Sequence, residues 1–185
     1  PETLPANKQR MDVAYRNAKR MQKLVNTLLE FSRIEAGRME GKFTAIDIRK
    51  FTVDLASLFR SAIEKAGMKL MITTSPIKNK VYVDVEMWER IILNLISNAF
   101  KYSETGTISI DIKEINHHLI VSVKDTGIGI PKEDIDRIFE RFYRVDKSHS
   151  NQKEGSGLGL SIVKHGAKFH HAEMEVESEV GKGTK

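Results

Sequence analysis

Apolar and small side chains recur every three or four positions along the first part of the chain. They are Met11, Ala14, Ala18, Met21, Val25 and Leu28. This spacing predicts a helix from about Pro5 to Ala36 with a heptad-type seam, which Gly37 ends. We expect the seam to pack against a helix of another chain and against a helix that precedes residue 1. The alternative is a helix that packs on its own domain.

Strand-like and helical patterns then alternate. Short strands are predicted at residues 43–46, 69–74 and 81–83. Asp47 can cap a helix that runs to about residue 66. The inward positions of that helix are Phe51, Leu55, Leu58, Phe59 and Ala62. Asp84 can cap a second helix. Its broad apolar face comprises Met87, Trp88, Ile91, Ile92, Leu95, Ile96 and Ala99.

The second half of the chain opens with a predicted β-hairpin, whose strands span residues 107–112 and 119–125. We interpret the two histidines at its turn as solvated rather than metal-bound, because no third ligand is near them in sequence. A helical stretch follows at residues 133–142. Its apolar positions at core spacing are Ile135, Ile138, Phe139 and Phe142. A strand at residues 172–178 closes the predicted fold.

Composition narrows the function classes. The length of 185 residues suits one globular domain with an extension, and the absence of cysteine excludes disulfides, thiol catalysis and thiolate metal sites. Most of the net charge of +5 arises in residues 1–42, which hold nine Lys and Arg against five Asp and Glu, whereas the rest of the chain holds 21 against 20. A mixed-sign helix face explains this surplus better than a nucleic-acid surface, because basic and aromatic residues do not interleave there. No apolar run approaches the roughly 18 residues of a membrane span.

The first candidate for chemistry lies at residues 125–131, where a predicted strand ends. Asp125 can accept a hydrogen bond from an exocyclic amine, and Gly127 and Gly129 leave room for a flat ring. Pro131 then stops the strand and can open a helix. A tight turn without a ligand is the alternative interpretation.

The second candidate is a polar stripe on the helix that follows Asp84. Asn94, Asn98, Lys101 and Tyr102 lie at positions i, i+4, i+7 and i+8, which share one helix face. Carboxamide oxygens suit a hard cation such as Mg²⁺, and an ammonium group suits the phosphates that share the cation. A polar outer face on an otherwise buried helix is the alternative.

A glycine-rich turn is the third candidate. Gly155, Gly157 and Gly159 end a stretch, residues 145–156, that lacks apolar periodicity and predicts a mobile loop. They precede a helix to about residue 169, so the turn would present backbone N–H groups and the positive end of a helix dipole to phosphates. Two arginines upstream, Arg141 and Arg144, can reach an anionic ligand.

In this order, the stretches resemble the ATP-binding kinase domain of sensor histidine kinases, within the ATPase superfamily that also holds gyrase-type topoisomerases, heat-shock chaperones and mismatch-repair proteins. Residues 94–102 resemble its asparagine box and residues 125–129 its first glycine box. Residues 139–144 resemble its phenylalanine box and residues 155–160 its second glycine box. Residues 28–37 resemble the end of the second helix of the dimerisation hairpin.

The resemblance implies an α+β fold, a two-layer α/β sandwich in which helices cover a mixed sheet and ATP lies between the layers under a flexible lid. A long amphipathic helix precedes it. Residues 1–42 would then be the second helix of the dimerisation domain with its linker, and residues 43–185 the ATP-binding catalytic domain.

The resemblance also implies contacts to the base. Asp125 would receive the adenine amine, with Gly127 and Gly129 beside the ring. Tyr102 would pack near the nucleotide, and Ile130 belongs to the same binding set.

For the phosphates, the resemblance implies that Asn98, joined by Asn94, holds Mg²⁺ and phosphate oxygens, while Lys101 and Arg144 balance the charge. Asn94, Lys101 and Arg144 are the implied catalytic residues. The lid and the helix that faces the phosphates would contribute Gly155, Gly157, Leu158, Gly159 and Leu160.

The chain departs from the family pattern in two ways. The family's phospho-acceptor is a histidine followed by Glu or Asp, and none of the six histidines here has that context. We therefore expect the chain to bind ATP without phosphorylating itself. Many relatives place Glu or Gln one turn before the first asparagine of the box, but Arg90 stands there, and Glu89 is rotated by about 100° around the helix.

The leading hypothesis is the catalytic part of a histidine protein kinase. It would transfer the γ-phosphoryl of ATP to a histidine on a helix outside this sequence, and from there to an aspartate of a response-regulator receiver domain. The expected partners are that receiver domain and a second copy bound through the amino-terminal helix, with no nucleic acid or membrane contact. A cytoplasmic location is expected, whether or not the parent protein is membrane-anchored. The alternatives are a nucleotide-binding module without turnover and a dimerisation scaffold with a vestigial site.

Overall fold

The computed structural model describes residues 4–35, 41–77, 80–145 and 156–185. The chain divides into two compact units, Pro1–Glu40 and Gly41–Lys185.

The first unit contains helix α1 (Leu4–Glu35), which confirms the predicted helix. The residues of the predicted seam are exposed along α1, with 72% of Met11 accessible. What covers the seam stays a prediction, and the predicted helix end at Gly37 lies outside the described residues.

The second unit alternates strands and helices, which confirms the predicted α+β class. Its elements are β1 (Phe43–Ile46), α2 (Ile48–Ser57), α3 (Arg60–Lys65), β2 (Lys69–Thr74), β3 (Val81–Asp84), α4 (Val85–Tyr102), β4 (Thr107–Ile115), β5 (His118–Asp125), α5 (Gly159–Phe169), β6 (Ser178–Glu179) and β7 (Gly183–Thr184).

Among the described residues the strands pair into three sheets. In the largest, β2 lies parallel to β4, and β4 lies antiparallel to β5, as the hairpin prediction required. Parallel strands need a crossover connection, and α4 is part of the one between β2 and β4. Strand β1 pairs with β3 and β6 pairs with β7, both antiparallel.

Helices α2, α3 and α4 cover one face of the three-stranded sheet. Alternate residues of β4, namely Ile108, Ile110 and Ile112, are fully buried on that face. They pack against Ile92 and Ile96 of α4 in a single apolar core. Burying each isoleucine side chain contributes about 1.5–3 kcal/mol relative to leaving it exposed. The core therefore holds α4, the helix that carries the polar stripe, against the sheet.

The predicted helix over residues 48–66 is interrupted, so the single-helix prediction is wrong. The backbone leaves the α-helix at Leu58 and Phe59 and resumes one residue later. The break turns the residues that follow to a different side of the chain, because side chains three or four positions apart share a face only along a continuous helix. As a result Leu58 is 70% exposed, and Ile63 rather than Ala62 is buried.

Two later predictions are also wrong. Residues 133–142 form a 3₁₀ turn (Lys132–Asp134) followed by irregular turns instead of a helix. Phe142 has φ of 61°, which an α-helix does not allow, and it is 57% exposed instead of lying in the core. The strand predicted at residues 172–178 is confined to β6 (Ser178–Glu179), which pairs with β7, and to the two backbone hydrogen bonds that Glu177 exchanges with Lys185.

Asp84 joins three parts of the second unit. Its Oδ1 accepts the Met87 N–H at 3.0 Å, which caps α4 as predicted, and its Oδ2 accepts the Lys42 N–H at 2.9 Å. The backbone N–H of Asp84 donates to Nε2 of His170 at 3.0 Å. Since Nε2 accepts, Nδ1 of this ring carries the proton and donates to the Gly166 carbonyl at 2.7 Å. The start of the unit, the start of α4 and the end of α5 therefore meet at one residue, Asp84, through its carboxylate and its backbone N–H.

We predict that Asp84→Ala lowers the free energy of unfolding by about 2–4 kcal/mol, because it removes a cap and leaves two N–H groups without an acceptor. Asp47→Ala is the matched control. It removes only the exposed cap of α2, where Asp47 Oδ1 accepts the Lys50 N–H, and should cost about 1 kcal/mol. Urea unfolding followed by fluorescence of the single tryptophan, Trp88, measures both. Equal losses would contradict the joining role of Asp84.

Candidate nucleotide site

Strand β5 ends in a buried carboxylate. Asp125, which pairs with Ile108 of β4, is only 9% exposed. Its Oδ1 accepts the N–H groups of Gly127 at 2.8 Å and Thr184 at 3.3 Å. Burial raises the pKa of the Asp125 carboxyl above its ordinary value, and the two backbone N–H groups oppose the rise. Both hydrogen bonds from the described residues end at Oδ1, so Oδ2 can accept from a further donor.

The loop after Asp125 packs against the carboxyl-terminal end of α4 and is hydrogen-bonded to it. The Ile128 N–H donates to the Tyr102 carbonyl at 3.1 Å, which satisfies one of the acceptors that a helix end leaves open. A Cβ atom on Gly127 would lie 2.3 Å from that carbonyl oxygen and 2.9 Å from both Asp125 Oδ1 and Ser103 Oγ. Only glycine permits this approach. It brings the strand-end carboxylate to the helix that carries the polar stripe.

The β6–β7 hairpin supports the same loop from another side, and sequence reasoning missed this role. The Thr184 N–H reaches Asp125, and Ser178 Oγ accepts the Ile130 N–H at 2.8 Å. Gly183 has φ of 108°, and a Cβ there would lie 2.0 Å from the Asp125 carbonyl oxygen. The signal in the sequence is the pair of glycines that precede Thr184, Gly181 and Gly183.

The two asparagines of the stripe lie beside the start of α5. Asn94 Nδ2 donates to the Arg90 carbonyl at 2.7 Å, which leaves Oδ1 as the end of the side chain that can meet a ligand. A Cβ on Gly159 would lie 2.9 Å from Asn94 Oδ1 and 3.8 Å from Asn98 Nδ2. The first residue of α5 therefore abuts both carboxamides, which brings together the second and third candidate groups.

At the far end of the stripe, Lys101 Nζ donates to the Tyr102 hydroxyl at 3.2 Å and lies 4.8 Å from its ring centroid. Both side chains are half-buried, as are Ile130 and Arg144. Gly129 has φ of 69° and lies against the β6–β7 hairpin, where a Cβ would clash with backbone.

The second glycine-rich stretch is only partly described. Leu158 is buried at the start of α5, and Leu160 is half-buried. Gly157 has φ of 71° and lies against Phe142, whose N–H donates to the Gly157 carbonyl at 3.0 Å. Gly155 and residues 146–154 of the predicted loop lie outside the described residues. Which of these groups contact a ligand stays a prediction.

Residues 83–185, from the end of β3 to the end of the chain, match the family model "Histidine kinase-, DNA gyrase B-, and HSP90-like ATPase". The chain belongs to this ATPase family. The matched segment contains four of the five stretches that carry the resemblance to sensor histidine kinases, from the asparagine stripe to the second glycine-rich turn, and residues 28–37 lie outside it.

Individual relatives point to the same branch of the family. The sensor histidine kinase WalK of Bacillus subtilis (strain 168) is 37% identical over 176 residues, which cover 93% of this chain and 28% of WalK. The sensor-like histidine kinase SenX3 of Mycolicibacterium smegmatis is 34% identical over 166 residues, 89% of this chain and 43% of SenX3. ShkA, solved full-length in complex with AMPPNP, superposes with a TM-score of 0.82 at 28% identity, covering 96% of this chain and 37% of ShkA.

The chain thus carries an ATPase domain of this family, and its named sequence relatives are sensor or sensor-like histidine kinases, which confirms the predicted family and fold class. The chain spans less than half the length of these relatives. In the part of the chain that the structure describes, no helix is both long and apolar enough to cross a membrane.

We predict that Asp125→Asn stabilises the nucleotide-free domain at pH 7. Burial disfavours the charged carboxylate, whereas asparagine keeps an oxygen for the Gly127 and Thr184 N–H groups. The pKa of Asp125 is higher in the folded than in the unfolded state, so its charged form weakens stability increasingly as the pH rises through the folded pKa. The gain measured by urea unfolding should therefore be small near pH 4, grow as the pH rises towards the folded pKa, and level off above it.

Asp111→Asn is the matched control, because this aspartate lies in the same sheet but is more exposed and pairs with Lys113 at 3.5 Å. It should give no such gain. An Asp125→Asn gain that is absent, or constant over the pH range, would contradict the burial argument.

Proposed function

We propose that this chain is the nucleotide-binding catalytic part of a sensor histidine kinase, which binds ATP with Mg²⁺ and presents the γ-phosphoryl group to a histidine outside these 185 residues. The observation that carries the proposal is the pair of glycine contacts on α4. Gly127 packs against the helix end beside Asp125, and Gly159 packs against Asn94 and Asn98. The axial distance from Asn94 to Tyr102 is about 12 Å, which suits a nucleotide lying along the helix.

The base lies against Asp125 in this proposal. An ionised carboxylate only accepts hydrogen bonds, so Oδ2 favours a base edge with an amine over one with a keto oxygen. Adenine presents an amine at its sixth position, whereas guanine presents an oxygen there. Gly127, Gly129 and Ile130 border the ring, and Tyr102 packs beside it.

The phosphates and Mg²⁺ lie along the stripe. Asn98, with Asn94 as a second ligand, offers carboxamide oxygens to the cation, and the hydrogen bond from Asn94 Nδ2 to the helix backbone supports this orientation. Within the described ranges no three His, Asp or Glu side chains converge as a metal site. A cation here would therefore take its remaining ligands from phosphate and water, as Mg²⁺ commonly does. When bound, Mg²⁺ neutralises charge on the transferring group.

Charge and backbone groups complete the phosphate site. Lys101 and Arg144 balance the phosphates, and the start of α5, from Leu158 through Gly159 to Leu160, offers backbone N–H groups. Gly155 and Gly157 mark the carboxyl-terminal end of the lid, the predicted loop at residues 145–156.

Phosphoryl transfer does not require covalent participation by the protein, so catalysis in this proposal depends on positioning and charge neutralisation. Asn94, Lys101 and Arg144 supply both. Arg90 occupies the position where many relatives have a carboxylate or carboxamide. A neutral imidazole already carries the lone pair that attacks phosphorus, so transfer to histidine remains feasible without a base at that position.

The whole-protein roles follow from the same proposal. Residues 1–42 are the second helix of the dimerisation domain with its linker, and residues 43–185 are the catalytic domain. The exposed seam on α1 supports a homodimer formed through this helix. The receiver domain of a response regulator takes the phosphoryl group next, in the cytoplasm, with no nucleic acid or membrane contact by these residues.

We predict that Asp125→Asn weakens binding of AMPPNP in the presence of Mg²⁺ by about 10- to 100-fold, or about 1–3 kcal/mol, because the amine loses a charged acceptor. Isothermal titration calorimetry measures the affinity, with Asp111→Asn as the control that should bind like the unmodified chain. Unchanged affinity in Asp125→Asn would refute the base contact. No heat with the unmodified chain would instead favour a scaffold with a vestigial site.

Turnover separates a kinase from a binding module. We predict that γ-labelled ATP and Mg²⁺ transfer label to a separate helical hairpin that carries a His-Glu pair, and that the chain alone stays unlabelled. Asn98→Ala should lower the transfer rate at least 100-fold, about 3 kcal/mol, by removing a cation ligand. Ser97→Ala, at the exposed neighbouring position, should not change it. Nucleotide binding without any transfer would favour a module without turnover.

A further inference from the structure

Ser103, the first residue after α4, is a buried hydroxyl that the proposed function leaves unused. The residue is 6% exposed, and its Oγ is shielded from solvent without a hydrogen-bond partner among the described residues. Buried polar groups in folded proteins are nearly always hydrogen-bonded, because an unmet donor or acceptor loses its interaction with water without replacement. This hydroxyl is therefore free to bond a group that the described residues do not supply, either a water or a ligand-linked acceptor.

Ser103 and Asp125 flank the same glycine. A Cβ on Gly127 would lie 2.9 Å from Ser103 Oγ and 2.9 Å from Asp125 Oδ1, so the two oxygens are at most twice that distance apart. A small shift of the carboxylate towards the helix end, or one intervening water, would bring them into hydrogen-bonding range.

A hydroxyl donor would stabilise the ionised form of the Asp125 carboxyl group. Its Oδ1 already accepts two backbone N–H groups, one of them at the longer distance of 3.3 Å from Thr184. Burial disfavours its charged form, and a hydroxyl that donates to the carboxylate favours the charged form. The ionised carboxylate accepts hydrogen bonds at both oxygens, so one oxygen can meet protein donors while the other meets the amine.

We propose that Ser103 is a positioning residue for adenine recognition. With nucleotide bound, its hydroxyl donates to the Asp125 carboxylate, directly or through one water, and holds the other carboxylate oxygen towards the amine of the base. This inference rests on the proposed function, since it acts through the contact assigned to Asp125.

The test compares two nucleotides that differ only in that amine. Isothermal titration with Mg²⁺ measures the affinities of ATP and of purine riboside triphosphate, which carries hydrogen in place of the amine. In Ser103→Ala, ATP should bind about tenfold more weakly, the usual loss for a hydrogen bond to a charged group, while the analogue should bind as it does to the unmodified chain. Ser103→Thr keeps the hydroxyl and should keep the preference for ATP. Trp88 fluorescence during urea unfolding checks that each variant is folded.

A purely structural role would lower both affinities together, and that result would overturn the inference, as would an unchanged preference for ATP in Ser103→Ala. Measurements on the unmodified chain and on Asp125→Asn distinguish a wrong role for Ser103 from a wrong proposed function. If the unmodified chain prefers ATP over the analogue and Asp125→Asn does not, the base contact at Asp125 is supported and only the role of Ser103 is refuted. If it shows no preference, the base contact falls and this inference falls with it.

Discussion

The close approach of the Gly127 backbone to the end of α4 is the contact on which the rest of the site depends. A side chain at this position would collide with the Tyr102 carbonyl, with Asp125 and with Ser103 at once. Because the approach is possible, the loop N–H of Ile128 satisfies a helix-end carbonyl, and the carboxylate at the end of β5 is held at the helix that bears Asn94 and Asn98. Residues at the end of β5 and residues of α4 therefore lie in the same site.

The site also carries a cost in stability. Asp125 is enclosed by β4, β7 and the end of α4, where its charged form is disfavoured, and Ser103 beside it lacks a partner among the described residues. Neither feature helps the domain to fold. Both are understandable if a ligand supplies the missing donors and acceptors, because a folded domain can tolerate a local loss of a few kcal/mol where binding restores it. The apolar core between α4 and β4 holds the helix in place meanwhile.

Much of this arrangement could be predicted because it is governed by local rules. Asp47 and Asp84 cap helices at the positions where the sequence suggests them, and the alternation in β4 places its isoleucines correctly. The polar stripe on α4 follows from helix geometry alone. The second glycine-rich turn meets the stripe at Gly159.

The rest depends on contacts that are distant in sequence. No glycine or proline lies near Leu58 to indicate that the helix breaks there. Phe142 has a positive φ where its N–H donates to the carbonyl of Gly157, fifteen residues later in the chain. The support of Asp125 by Thr184 joins residues far apart in the chain, and the burial of Ser103 depends on a loop more than twenty residues later. Pattern and propensity describe one segment at a time, so they do not report such contacts.

Nuclear magnetic resonance on the 21.0 kDa chain, with ATP and Mn²⁺ in place of Mg²⁺, shows whether a single nucleotide lies along α4. We expect the paramagnetic ion to broaden the side-chain amide signals of Asn94 and Asn98 only when ATP is present. In the diamagnetic Mg²⁺ complex, nuclear Overhauser effects should connect the adenine protons to the Gly127 and Ile128 amides. Broadening centred elsewhere, or adenine contacts remote from Gly127, would contradict a single nucleotide site along α4.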